Sequence, residues 1–445
     1  MKAEDGRLYR AIWRWHFYAG LFVVPFILLL SLTGAIYLFK PQLDRWEERA
    51  WRNLPVDFTV TPDDQLAAAL TAVPGAMFHN YRLPERSSDA TVIHVGLPDG
   101  EMRDIAVSPQ GKVIGIADPE ARIAATVSRI HGSLLIGFWG GLLVETAACW
   151  AILLILSGLY LWWPRGRGLA GVLWPRIARG RLFWRDLHAV TGFWVSGLAL
   201  VLLLSGLPWT DGWATAFRTV RAELGWVQGA QDWKGGVDLH AEHDHEAMLR
   251  AQAAAPRAAA DVTLTDIALL AADENLPEPV IITPPGAPMA FGPPNGNVWR
   301  VSTGTQNRPL ARSVSYDPVS GDVVEQSGFA DKHPIDRVIG YTTAWHEGQL
   351  FGWINQLIGL LTALALVTLA VSGVVMWWWR RPGGTLGAPP RPADAKLRVV
   401  AAITLVLAIL LPMLALSLLA LFVIDRLLLP LWPHAAIWLN RTRPA

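Results

Sequence analysis

A single cysteine, Cys149, is all the chain has, and it lies inside an apolar run, so no disulfide framework can hold this protein together. Charge is scarce as well. Asp, Glu, Lys and Arg make up 17% of 445 residues against 52% hydrophobic, a balance too apolar for an ordinary soluble protein. No GxGxxG follows a strand-like run, so no nicotinamide or flavin fingerprint is present. The first apolar run lacks a small-residue cleavage site and is too long for a removed signal peptide, so it is expected to stay as an anchor.

What the chain does have is apolar residues gathered into stretches long enough for a helix of roughly 20 residues to cross a hydrocarbon core. They predict spans over 8–39, 126–163, 186–209, 346–379 and 397–430. Between and after them lie polar segments 40–125 and 210–345, connections 164–185 and 380–396, and a tail, 431–445. Net charge is only +1, but it is unevenly placed. Arg165, Arg167, Arg176, Arg179, Arg181 and Arg185 crowd one short connection, which marks it as cytoplasmic. Lys2, Arg7, Arg10 and Arg14, and the cluster Arg380, Arg381, Arg391, Lys396 and Arg398, agree with that orientation. The expectation is an N-terminus inside, with both long polar segments and the C-terminal tail outside, in the periplasm.

Two halves of the chain repeat. WHFYAGLFVVPFILLLSLTG from Trp15 aligns with LHAVTGFWVSGLALVLLLSG from Leu187, matching His16, Gly20 and Gly34 to His188, Gly192 and Gly206. HGSLLIG from His131 aligns with HEGQLFG from His346, and the same spans end in LSGLYLWWPR and VSGVVMWWWRR. The fifth span has no partner and no histidine. The polar segments repeat too: TPDDQLAAALTAV and LTDIALLAADENL read as short amphipathic helices, each followed by strand-like runs. Those runs are MFHNYRL, TVIHVGL and MRDIAVS in one, PVIIT, VWRVST and RSVSYDP in the other, closing on the turns SPQGKVIG and DPVSGDVVE. The fold class is therefore an α-helical membrane bundle, four repeat-matched spans plus a fifth, with two small periplasmic α+β domains.

Four histidines stand at repeat-matched positions, two toward each membrane face. His16 and His188 follow cytoplasmic arginines and share an inner layer, while His131 and His346 begin helices that enter from outside and share an outer one. An imidazole in hydrocarbon needs a partner, and two on facing helices at one depth can each give a nitrogen to the iron of a planar heme. This predicts two heme b groups, with small residues such as Gly20, Gly192, Gly137 and Gly352 letting a macrocycle approach the backbone. Arg14, Arg129 and Arg185 precede ligand candidates and are candidates to pair with heme propionates. Trp162, Trp163, Trp377, Trp378 and Trp379 read as an interfacial belt. Glu145, inside the second span, reads as a bundle-interior hydrogen-bonding group with proton or quinol chemistry as the alternative. His240, His243 and His245 in HAEHDHE have metal-ligand spacing but sit in a polar loop, and His79 and His94 fall in strand-like runs as packing or surface residues.

With WHxxxG, HGxxxxG, LHxxxG and WHEGxxFG on successive spans and the turns SPxGxV and DPxxGxV in the outside segments, nearly the whole chain resembles the PepSY-associated transmembrane family. Within that family it is most similar to bacterial inner-membrane di-heme siderophore-iron reductases. The resemblance implies PepSY-like outside domains and an oxidoreductase that reduces a ferric siderophore in the periplasm, releasing iron as Fe2+. Electrons would come from a separate cytoplasmic or quinol donor. The partners so implied are the ferric siderophore, the donor and the lipid bilayer, and no nucleic acid. Two rival readings remain open: a non-enzymatic membrane-anchored PepSY binding or regulatory protein, and a metal or proton transporter with a histidine relay, for which polar residues along the bundle centre are scarce.

Overall fold

The computed structural model describes residues 3–164, 170–176, 179–227, 261–289, 294–389 and 397–439. His240, His243 and His245 lie outside the described residues. In chain order the principal helices are α1 (Ala3–Tyr37), α2 (Lys40–Glu47), α3 (Pro62–Ala72), α4 (Ile123–Ser133), α5 (Gly137–Trp162) and α6 (Arg181–Gly206). They continue as α7 (Asp211–Glu223), α8 (Leu264–Asp273), α9 (Pro334–His346), α10 (Trp353–Arg380), α11 (Arg398–Leu410) and α12 (Pro412–Val423). The chain divides into two compact units: Met1–Ala35, Arg129–Val220 and Leu357–Ala445 form a helical bundle, and Ile36–Ser128 with Arg221–Gln356 form a sheet unit.

Among the described residues of the chain, five helical stretches are long and apolar enough to cross a membrane: Gly6–Tyr37, Gly137–Trp162, Arg181–Trp209, Trp353–Arg380 and Pro412–Leu431. The protein is a multi-pass membrane protein. Helices suit that environment because each peptide group is satisfied within its own segment where no water can serve. The few hydroxyls inside follow the same rule, Thr33 donating to the Leu29 carbonyl at 2.8 Å and Ser157 to Leu153 at 2.8 Å.

Two spans start later than the apolar runs suggest. The run 126–163 is split at Leu134 and Leu135, which take φ of 54° and 61°, and Gly137, at 60°, opens α5. His131 thus lies in the last turn of the short helix α4 rather than in the spanning helix. In the run 346–379, His346 ends α9, and the chain turns through Gly348 (φ 75°) and Gly352 (φ 58°) before α10 begins. The glycines accept a left-handed backbone that a side chain would strain, so HGSLLIG and HEGQLFG end helices rather than begin them.

The stretch 397–430 is likewise not one helix. It breaks at Leu411 (φ −128°, ψ 89°), because Pro412 has no N–H to donate back along a helix and disfavours a helical residue before it. The Leu410 carbonyl accepts from Trp213 Nε1 at 3.1 Å, just beyond the end of α6. By Trp438 the chain is back at the other end of the bundle, where Leu386, just past α10, donates its N–H to the Trp438 carbonyl at 3.0 Å and Tyr18 Oη donates to Leu439 O at 2.5 Å. α11 and α12 are two arms of a hairpin. The expected single fifth crossing is replaced by a return, which brings Leu439 beside the N-terminal half of α1; of the expected tail 431–445, residues 440–445 lie outside the described residues.

The sheet unit holds an open eight-stranded antiparallel sheet in the order β4-β3-β2-β1-β5-β6-β7-β8. Its strands are β1 (Met77–Arg82), β2 (Thr91–Gly96), β3 (Met102–Val107), β4 (Val113–Ala117), β5 (Val280–Thr283), β6 (Trp299–Thr303), β7 (Arg312–Tyr316) and β8 (Val323–Gly328). The two expected domains are not separate. β1 pairs with β5, Tyr81 opposite Ile282, and one apolar core takes Ile93, Val95 and Ile105 from the first half together with Ile267, Ile282 and Val301 from the second. Four strands with one face to cover expose an edge, and joining two sets at β1 and β5 removes two such edges at once. α3 and α8 lie on this core, each opened by a Thr-to-Asp capping box, Thr61 with Asp64 and Thr263 with Asp266.

Candidate functional site

Three of the four histidines share one local design within the bundle. His16 on α1 places Nδ1 2.9 Å from Ser157 Oγ on α5. His131 on α4 places Nδ1 2.9 Å from Thr33 Oγ1 on α1. His188 on α6 places Nδ1 3.0 Å from the Leu369 carbonyl and 3.1 Å from Ser372 Oγ on α10. Each hydroxyl already donates its own hydrogen to a carbonyl one turn back, Ser157 to Leu153, Thr33 to Leu29 and Ser372 to Thr368. Toward the ring it can only accept, and a carbonyl can only accept, so Nδ1 carries the proton in all three. The lone pair is then on Nε2, the arrangement in which a ligating imidazole is held through its other nitrogen.

A glycine follows each hydroxyl, and the ring lies against it. A Cβ at Gly158 would meet His16 Cε1 at 3.3 Å, one at Gly34 would meet His131 Cε1 at 3.3 Å, and one at Gly373 would meet His188 Cε1 at 3.5 Å. Hydroxyl and glycine are therefore a pair, one orienting the ring and the other making room for it. The same two-residue pattern occurs in sequence at Ser205 and Gly206. His16 and His188 both lie within the bundle. His346 belongs to the sheet unit, half-buried as the last residue of α9.

The arginines named with these histidines have contacts of their own. Arg14 is buried, donates to the Pro389 carbonyl and lies 5.2 Å from the Tyr18 ring centroid. Arg185 gives its guanidinium to Asp186, 2.8 Å away, which also takes Arg176 at 2.6 Å. Arg14 and Arg129 each stand two residues before a histidine, roughly 200° around a helix, so their side chains leave from the opposite side. Arg129 does hold the turn that follows, its carbonyl accepting from Ser133 Oγ at 3.0 Å.

Glu145 proves to be a bundle-interior hydrogen-bonding group. Fully buried, it accepts from the backbone N–H of Gly212 at 2.8 Å and Trp213 at 2.9 Å, the unsatisfied donors at the start of α7. In the sheet unit, Arg221 meets Asp336 through two 2.8 Å hydrogen bonds with both side chains almost free of solvent. Glu48 joins Arg82 and Arg122, and Arg122 and His94 share Asp104. Burial works to raise the Asp104 carboxyl, but the His94 hydrogen bond and the charges of His94, Arg122 and Arg82 hold it below the usual carboxylate range. Beside His346, burial pushes the Glu347 carboxyl up despite Arg308, Gln306 and Lys40.

In the sequence Ser157 with Gly158 and Ser372 with Gly373 stand out only as repeat matches, and nothing in LTG, LSG, LSG and VSG at the ends of four spans ties these pairs to the histidines. The ion pairs gave no signal, since their partners are far apart in the chain. Among the described residues, no group of three or more His, Cys, Asp or Glu side chains could hold a bare metal ion. No curated protein matches the chain. The PepSY-associated TM region family matches residues 13–381, which takes in α1 to α10 with the sheet between them, and the chain belongs to that family.

Proposed function

We propose that this protein is a transmembrane electron carrier of the bacterial inner membrane that reduces a ferric siderophore on the periplasmic side. Its bundle histidines hold b-type hemes, its N-terminus is cytoplasmic, and its electrons come from a cytoplasmic or quinol donor. The observation that carries this reading is the common design of two bundle histidines. His16 and His188 each have Nδ1–H already given away and the lone pair kept on Nε2. A heme bound between them supplies a one-electron carrier.

The residues fit such a group: the donors are neutral imidazoles of fixed tautomer, and Gly158 and Gly373 leave the rings room where a Cβ would crowd them. On the sequence alone, a second heme is assigned to His131 and His346. The protein's part is to ligate, to orient the rings through Ser157 and Ser372, and to keep water from the bundle interior. One electron converts the bound Fe3+ of the chelate to Fe2+, which hard oxygen ligands hold far more weakly, so iron is released.

An absorption spectrum of the purified protein, before and after dithionite, tests the reading. Low-spin b-heme bands are expected, and a colourless protein overturns it. A second reading, a non-enzymatic membrane-anchored PepSY binding or regulatory protein, is favoured by the open edge of the sheet: β8 is exposed along nearly its whole length, ready to pair with a partner strand. A colourless protein that still binds a partner through that edge would establish it.

A further inference from the structure

We infer that Arg380 is the cation that holds the acidic side chains of the group bound between His16 and His188, an inference that rests on the heme reading above. A b-type heme carries two propionates on one edge, and a buried or half-buried anion needs a charge-assisted donor. The guanidiniums expected for this task from the sequence are committed elsewhere, Arg14 to Pro389 and Arg185 to Asp186.

Arg380 is placed differently. It is the last residue of α10, seven residues beyond Gly373, the glycine against which the His188 ring lies. Seven residues fall about 20° short of two full turns, so Arg380 shares that face, about 10 Å toward the helix end. Its guanidinium carbon is 4.8 Å from the Trp13 ring centroid and 5.5 Å from that of Phe17. Trp13 is one turn before His16 on α1, and Phe17 is next to it. Arg380 therefore bridges the His188 side and the His16 side of the same layer.

The two aromatic rings address the flat face of the guanidinium and leave its edge, where the N–H donors point, for a planar carboxylate. Among the described residues no carboxylate or carbonyl accepts from Arg380, and no opposite charge lies close enough to act on it. The neighbouring Arg381 supplies an internal control. It carries the same charge one position on, but its carbon sits 3.8 Å from the ring centroid of Trp378 on its own helix, turned away from Trp13 and Phe17. Plain orientation signalling would treat the two arginines alike.

The full-length protein, stripped of heme and reconstituted, tests the assignment with protoheme and with its dimethyl ester, in which both propionates are blocked. In the wild type, esterification should speed heme loss from one of the two sites by about tenfold, the worth of one charge-assisted hydrogen bond. R380Q should lose protoheme at that faster rate and be indifferent to esterification, R380K should recover part of the difference, and R381Q should match the wild type. The midpoint potential of the same heme should fall in R380Q, because a nearby positive charge favours the reduced form, while the other heme is unmoved. Equal behaviour of R380Q and R381Q, or an undiminished ester effect in R380Q, overturns the role of Arg380. A wild type that takes up no heme overturns the function proposed above instead, so the two failures are distinct.

Discussion

Polar side chains are buried in both units, but they are satisfied by different means. In the bundle they are mostly neutral, and one neutral partner suffices: an imidazole gives its Nδ1–H to a hydroxyl that has already donated to its own helix. The sheet unit also buries ionised side chains, and these are met by charges of the opposite sign, as Glu48 is by Arg82 and Arg122 and Arg221 is by Asp336. The difference follows from the cost of taking a full charge out of water, several kcal/mol even after relaxation, compared with about 1–3 kcal/mol for an unsatisfied neutral group. What His16 and His188 keep by giving up Nδ1–H in this way is the lone pair on Nε2, which an ion-paired side chain would not offer.

The comparison is broken most completely by removing a histidine. His16→Ala or His188→Ala should abolish one of two hemes and spare the other, read as the ratio of heme to protein by absorbance, while His94→Ala in the sheet unit should leave both. Loss of both hemes from a single change would argue against separate sites. Next in size is the buried ion pair. Arg221→Met should destabilise the protein by about 3–5 kcal/mol in denaturant unfolding, because Asp336 is left charged and unpaired, whereas Arg221→Met with Asp336→Leu should recover most of that loss. If the single and double variants are equally unstable, the cost comes from packing and not from charge.

A neutral contact should matter less. Ser157→Ala removes an acceptor from His16 and should cost about 1–3 kcal/mol, with a visible change in the heme spectrum, while Ser157→Thr keeps the hydroxyl and should stay near the wild type. The smallest effect concerns acid. The Asp104 carboxyl lies below its ordinary value, so it contributes stability above the unfolded carboxylate pKa and loses that contribution as pH falls through the folded value. Unfolding followed from pH 7 to pH 3 should show that loss, and Asp104→Asn should flatten this part of the profile. A bundle variant such as Ser157→Ala should leave its slope unchanged.

The apolar runs, the four matched histidines and the amphipathic helices with their following strands were all legible in the sequence, because each rests on short-range periodicity. Helix ends were less so. The turn after His131 depends on Leu134 and Leu135 taking positive φ, which their identity does not announce, and the hairpin at Leu411 was hidden by an apolar run that its proline did not visibly interrupt. The merging of two expected domains was invisible too, since the β1 and β5 pairing joins residues some two hundred positions apart. Contacts of arginines were the least legible, since the guanidinium that lies beside Trp13 and Phe17 comes from Arg380 on a different span.

The amino-acid order by itself determined that this chain enters a membrane and where its histidines stand along the apolar runs, because hydropathy and spacing are properties of the chain alone. Tertiary structure decided which hydroxyl receives the proton of His16, His131 and His188, which glycine faces each of these rings, and to which end of the bundle Leu439 returns. Those outcomes depend on helix rotation and on contacts between distant residues, and the free energy that sets them exists only once the helices have packed.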